Sequence, residues 1–180
     1  MERYPGTVTL GEVNSEDSLG TMIEYTSDGD KLHMAYSFEL LSDEYGAEYM
    51  RNTVGNLQER MVEGWPCWAI SNHDVERVVT RWGKNEHRDA FAKMSLAMAA
   101  SLRGTLCVYQ GEELGLCEAS IKKEELQDPF GIEFWPEFKG RDGCRTPMVW
   151  EKDALNAGFS QEATWLPIPD AHKELSLIHI

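Results

Sequence analysis

Up to Gly115 the chain alternates short apolar runs with stretches of helical period. Thr7-Val8-Thr9-Leu10-Gly11, His33-Met34-Ala35-Tyr36-Ser37-Phe38, Cys67-Trp68-Ala69-Ile70 and Thr105-Leu106-Cys107-Val108-Tyr109 are the apolar runs. They predict strands, and three of them are continuous rather than alternating, as in strands covered on both faces. From Ala47 to Val62 the apolar positions Tyr49, Met50, Val54, Leu57 and Met61 recur at helical spacing, with Gly64 as the stop. From His87 to Leu102 the same period runs through Phe91, Met94, Leu96, Met98 and Leu102, and Gly104 ends it. The polar stretch Asn14 to Ser18 reads as a loop. Strands separated by helices specify successive βα units and a parallel sheet. Residues Leu116 to Pro169 differ in kind: they carry Trp135, Trp150, Trp165 and most of the prolines, with little periodicity. That predicts a long irregular segment packed over the sheet or its rim, too aromatic to be disordered.

Composition limits what such a sheet can be. At 180 residues the chain is one domain of ordinary size, and a complete eight-stranded βα barrel needs about 250 residues, so any barrel here is part of one. A 42% hydrophobic and 27% charged composition excludes collagen-like, disordered and membrane-spanning classes. The net charge of −14 argues against nucleic-acid and anionic membrane partners, since such a surface repels phosphate. Met1 to Gly6 has no apolar stretch to serve as a secretory signal. Cys67, Cys107, Cys117 and Cys144 lack CxxC spacing, which predicts reduced structural thiols in a cytoplasmic protein.

Ligand sites of βα folds lie at the carboxyl ends of the strands, where loops converge. This singles out Glu12, His73-Asp74 and Glu112-Glu113. Two carboxylates across a pocket suit glycoside hydrolysis: one, its pKa raised by burial and a like-charged neighbour, protonates the leaving oxygen, and another stays ionised beside the developing positive charge. Each position also has a plainer reading. Glu12 can order a loop, His73 can be a core histidine, and Glu112 and Glu113 can cap the following turn. A metal site from Glu12, His73 and Asp74 has no HxH or HExxH spacing behind it, and no metal is expected.

Taken in order, Gly11-Glu12-Val13-Asn14, Ser71-Asn72-His73-Asp74, Tyr109-Gln110-Gly111-Glu112-Glu113-Leu114-Gly115 and Gly140-Arg141-Asp142-Gly143-Cys144-Arg145-Thr146-Pro147-Met148 resemble the α-amylase superfamily of retaining glycoside hydrolases, closest to its bacterial α-glucosidase and oligo-1,6-glucosidase branch. The resemblance spans residues 7 to about 169. It implies an α/β fold that is a partial (β/α)8 TIM barrel, strands five to eight with a long irregular loop after the last. It implies that Glu12 is the general acid/base, that Asp74 stabilises the transition state, and that His73 binds sugar hydroxyls. Arg141 is expected to grip the non-reducing glucose, and Phe38 to form an aromatic wall on the leaving-group side. Arg145 is expected to tie the long loop, and Trp135 and Trp150 to be loop core rather than sugar platforms.

The family's nucleophilic aspartate, at the end of the fourth strand, has no counterpart upstream of Glu12, and a structural calcium would belong to the same missing part. The expected substrate is a small α-glucoside, no cofactor is expected in this portion, and the chain alone is expected to be inactive. Residues 1–172 read as the carboxyl-terminal half of a catalytic barrel, with Met1 to Tyr4 as the last turn of a preceding helix, and 173–180 as a non-native tail. Open barrel edges predict self-association. Alternatives are a transglycosylase or isomerase of the same superfamily, and a non-catalytic sugar-binding or scaffold relative.

Overall fold

A computed structural model describes residues 4–83 and 87–179; the expected helical turn at Met1 to Tyr4 falls mostly outside them. The chain divides into two compact units, Met1–Ile70 with Ala97–Cys107, and Ser71–Leu96 with Val108–Ile180.

The first unit is a four-stranded parallel sheet in the order β1-β2-β3-β4. Its strands are β1 (Leu10–Gly11), β2 (Met34–Ser37), β3 (Cys67–Trp68) and β4 (Thr105–Leu106). Leu10 faces Met34, Tyr36 faces Cys67, and Cys67 faces Thr105. All four predicted runs supply a strand, but the ladder uses only their centres. Continuous hydrophobicity means double coverage only for β3, where Cys67 to Ile70 are all buried. The expectation fails at β1: Val8 is 66% and Leu10 50% exposed. Among the described residues β1 lies at an edge of the sheet, with a neighbouring strand on one side, so fewer side chains flank it.

Between β1 and β2 runs a helix that periodicity did not announce, α1 (Ser18–Thr26). Asp17 caps it by accepting the Gly20 N–H, and Leu19, Met22 and Thr26 are buried. Helix α2 (Ala47–Arg60) follows β2 and buries Thr53 and Leu57. It ends at a Met61 cap, with Gly64 just past its end. Trp68 is wholly buried and its indole N–H donates to the Arg103 carbonyl at 2.9 Å, fastening β3 to the segment that enters β4. Gly104 has φ +136, and a Cβ there would lie 2.6 Å from the Pro66 carbonyl oxygen. Only glycine allows this approach.

Two further helices follow β3. Helix α3 (Val78–Arg81) follows the loop after β3, and α4 (Arg88–Ser101) begins in the second unit and ends in the first. The bounds of α4 match its hydrophobic period, yet Ser95 and Ala99 are its buried positions while Met94 is 52% exposed. Small residues let a neighbour approach closely, so the covered stripe is offset from the bulky one.

The rest is irregular, as expected, with short helical turns including α5 (Pro129–Glu133) and α6 (Asp170–Lys173). Its core is Leu114, Leu116, Met148, Val149 and Ala157, with Ile168 and Leu175 packed against it. Beyond α6 the backbone N–H groups of Leu177 and Ile178 donate to the carbonyls of Val149 and Trp150. The tryptophan expectation is corrected here. Trp135 is half-buried, but Trp150 and Trp165 are 44% and 67% exposed; the core of this segment is aliphatic. No helix among the described residues is long and apolar enough to cross a membrane.

Candidate active site

In the first unit, two predicted site residues sit directly after adjacent strands. Glu12 follows β1, and Phe38 follows β2 with its ring stacked on Tyr36 at 5.3 Å. The burial expected of the acid at position 12 is not seen: Glu12 is exposed, because β1 is an edge strand. Phe38 is half-buried.

The other predicted residues lie in the second unit, His73 and Asp74 on the loop Ser71–Asp74. Ser71 and Asn72 are buried and pin that loop: Ser71 Oγ accepts the Val78 N–H at 3.0 Å and Asn72 Oδ1 accepts the Asp74 N–H at 2.8 Å. The outcome is that His73 and Asp74 project. His73 is about half exposed, which overturns the core-histidine alternative, and its Nε2 lies 3.6 Å from Asp74 Oδ2.

Two arginines converge on the carboxylate of Asp74. Arg141 Nη1 donates to Asp74 Oδ1 at 3.0 Å and Arg145 Nη2 donates to the same oxygen at 2.8 Å. Arg145 Nε also donates to the His73 carbonyl at 2.7 Å, so Arg145 ties the long irregular segment to the loop, as expected. Arg141 makes a bidentate fork with Asp128, Nε to Oδ2 at 2.9 Å and Nη2 to Oδ1 at 3.0 Å. Beside Asp74 and Arg141 lies a cavity of about 330 Å³, also lined by Glu118, Phe138, Lys139 and Cys144. That volume falls within the roughly 300–1,000 Å³ of small-molecule sites.

Behind this rim, further ionisable groups are buried. The Arg77 guanidinium donates to the Gln110 carbonyl at 2.6 Å and lies over the Tyr109 ring. Burial pushes the carboxyls of Glu112 and Glu118 up to about 7, since low dielectric disfavours their charged forms. Burial holds the His172 imidazole down at about 4, with Arg77 adding to the effect. The imidazole Nε2 lies 2.9 Å from the Cys117 carbonyl oxygen, which can only accept, so Nε2 is the donor there. Glu112 and Glu113 turn out to hold their own turn: Glu112 Oε2 accepts the Tyr109 N–H and Glu113 Oε2 accepts the Gly111 N–H. Cys67 and Cys144 are buried thiols with pKa pushed up to about 11 and about 12 by burial, which disfavours the thiolate.

Asp128, Asp142, Arg77, Glu118 and His172 were not singled out for chemistry by the sequence. One signal existed: Asp128-Pro129 is an N-cap followed by proline at the first helical position, and Asp128 does accept the Phe130 N–H that opens α5.

The chain's class follows from its likeness to known proteins. Residues 1–179 match the alpha-amylase catalytic domain, and the chain belongs to that family. It is 51% identical over 176 residues to a probable alpha-glucosidase of Rhizobium meliloti (strain 1021), covering 96% of this chain and 32% of that protein. It is 33% identical over 133 residues to an oligo-1,6-glucosidase of Heyndrickxia coagulans, covering 63% of this chain and 24% of the relative. Among solved structures, the alpha-glucosyl transfer enzyme XgtA superposes with a TM-score of 0.91 at 58% identity, covering 99% of this chain and 33% of that one. The chain therefore spans about a third, or less, of the length of these relatives.

Proposed function

We propose that the protein carrying this chain is a retaining α-glucosidase acting on short α-glucosides, and that β1 to β4 are the fifth to eighth strands of its catalytic barrel. Asp74 carries this reading: a carboxylate with two arginines on it, at the rim of a cavity, in a chain whose relatives are named as α-glucosidases. In the first step a carboxylate of the upstream part attacks the anomeric carbon, the glycosidic C–O bond breaks, and Glu12 gives its proton to the leaving oxygen. Glu12, now ionised, takes a proton from water as that water attacks the glycosyl-enzyme and releases glucose. Asp74, its carboxylate held by two arginines, stabilises the positive charge that develops at the ring. His73 and Arg141 bind sugar hydroxyls, and Phe38 bounds the leaving-group side. The chain by itself is inactive, since the nucleophile lies outside it.

A second reading, glucosyl transfer, is favoured by the name and the 58% identity of XgtA. Hydrolysis and transfer share the first step and differ in whether water or a sugar hydroxyl accepts the glucosyl group. The test is turnover of an aryl α-glucoside by the full-length protein, with free glucose and transfer products separated by chromatography. Glu12→Gln is expected to lower turnover about 10²–10⁴-fold. No turnover of any α-glucoside, or no effect of Glu12→Gln, overturns the proposal.

A further inference from the structure

The Arg141 fork poses a question of geometry that the roles above leave open. A guanidinium is planar and its donors are fixed relative to one another, so whatever holds one edge decides where the opposite edge points. Asp128 holds the edge formed by Nε and Nη2. It also accepts the Arg141 backbone N–H at 2.8 Å, so one carboxylate fixes both ends of the Arg141 residue. The remaining nitrogen, Nη1, is the one delivered to Asp74.

Asp128 is itself held. Its side chain is fully buried, whereas Arg141 is 29% exposed, so the anchor is inside and the delivered group outside. The fork with Arg141 keeps the Asp128 carboxyl well below the usual carboxylate range, against the opposing effect of burial. The backbone of Asp128 is fastened in turn by Asp142, whose Oδ2 accepts the N–H groups of Gln127 and Asp128 at 2.6 and 2.9 Å. A buried carboxylate thus orients the loop that carries Asp128, and Asp128 orients the arginine that reaches the exposed carboxylate.

We infer that Asp128 is a positioning residue of the site: its carboxylate sets the plane and reach of the Arg141 guanidinium so that Nη1 serves Asp74 and a sugar hydroxyl entering beside it. This rests on the proposed function for the identity of the ligand, and on the structure alone for the orientation of Arg141. The carboxylates of Asp128 and Asp74 flank the cation, so the guanidinium balances charge there as well as donating hydrogen bonds.

The experiment uses Asp128→Asn in the full-length protein. Asparagine keeps the size and an oxygen to accept the Phe130 N–H, but it removes the charge and one arm of the fork. Proton exchange at Arg141 Nε–H, followed by nitrogen-15 NMR, reads the fork without reference to activity. It is expected to be slow in the wild type and at least about tenfold faster in Asp128→Asn, the loss expected when a held donor is freed. Hydrolysis of an aryl α-glucoside is expected to lose about 10- to 100-fold in kcat/KM, carried mostly by KM. Arg141→Lys is expected to give a similar loss, and the double variant little more than either single one.

Asp128→Glu, which keeps the charge, is expected to recover part of the affinity. Unchanged exchange at Nε–H, or faster exchange with unchanged KM, overturns the inference. So do additive losses in the double variant, which would make Asp128 only a loop tie. If the wild type turns over no α-glucoside, the proposed function fails, and the exchange measurement still decides whether Asp128 orients Arg141.

Discussion

Each unit, taken by itself, relies on a different kind of interior. In the first, a short parallel ladder is surrounded by apolar burial: Trp68, Ile70, Leu40, Leu57 and Met61 are among its largest hidden side chains. In the second, irregular backbone is fixed by buried polar groups, among them Arg77, Asp128, Asp142, Glu112 and His172. Apolar burial is roughly proportional to area and tolerates sliding, whereas a network of charge-assisted hydrogen bonds is directional. Directional bonding is what a segment without regular secondary structure needs to hold side chains such as Asp74, Arg141 and Arg145 in one arrangement.

The contrast can be broken first in the sheet. Trp68→Ala removes a wholly buried side chain and leaves the Arg103 carbonyl unpaired, and it is expected to cost about 3–5 kcal/mol in denaturant unfolding. Arg77→Met, in the polar unit, keeps much of the volume but strands the Gln110 carbonyl and removes the cation near Glu112 and Glu118. A loss of about 3 kcal/mol is expected, larger at pH 8 than at pH 5, because both carboxyls are charged at the higher pH.

Glu112→Gln sharpens the comparison in the other direction. With a folded pKa of about 7 against 4.5, native Glu112 binds more protons than the unfolded chain between those values, so its share of stability falls as pH rises through that window. His172 acts oppositely: at about 4 against 6.5 the native state binds fewer protons, and its share is lost as pH falls through that window. Glu112→Gln is therefore expected to stabilise by about 1–2 kcal/mol at pH 8 and by little at pH 4.5, read as melting temperature against pH. No gain at pH 8 would mean that water reaches the carboxyl. The smallest effect on stability is expected from Leu10→Lys on the exposed edge strand, within about 0.5 kcal/mol. The expected change is in association: sedimentation should show self-association of the chain that Leu10→Lys reduces.

The sequence was most legible where burial repeats. Cys67 to Ile70 is continuous because β3 has neighbours on both sides, and the polar residues that follow it, His73 and Asp74, stand out for that reason. Helix α1 was hidden because it is short and begins within a polar stretch, with a cap at Asp17 as its one marker. Helix α4 was found by period, but which of its residues are covered was not, since close packing through Ser95 and Ala99 leaves no hydrophobic trace. The arginines on Asp74 were legible through motif resemblance rather than pattern. Asp128 was not, because its partner lies 13 residues away along irregular backbone, where no period brings the two together.

One glycine shows how such a network constrains change over time. Gly143 sits beside the Glu118 carboxylate, and a Cβ there would collide with that carboxylate and lie 2.6 Å from the Ala119 carbonyl oxygen. Its own carbonyl accepts the Ala119 N–H, so the backbone cannot simply move away. Even alanine at 143 would force Glu118 from its bond to the Arg77 N–H. Drift at this position is closed off one residue from Asp142, so a residue with no side chain of its own limits which sequences can carry the site.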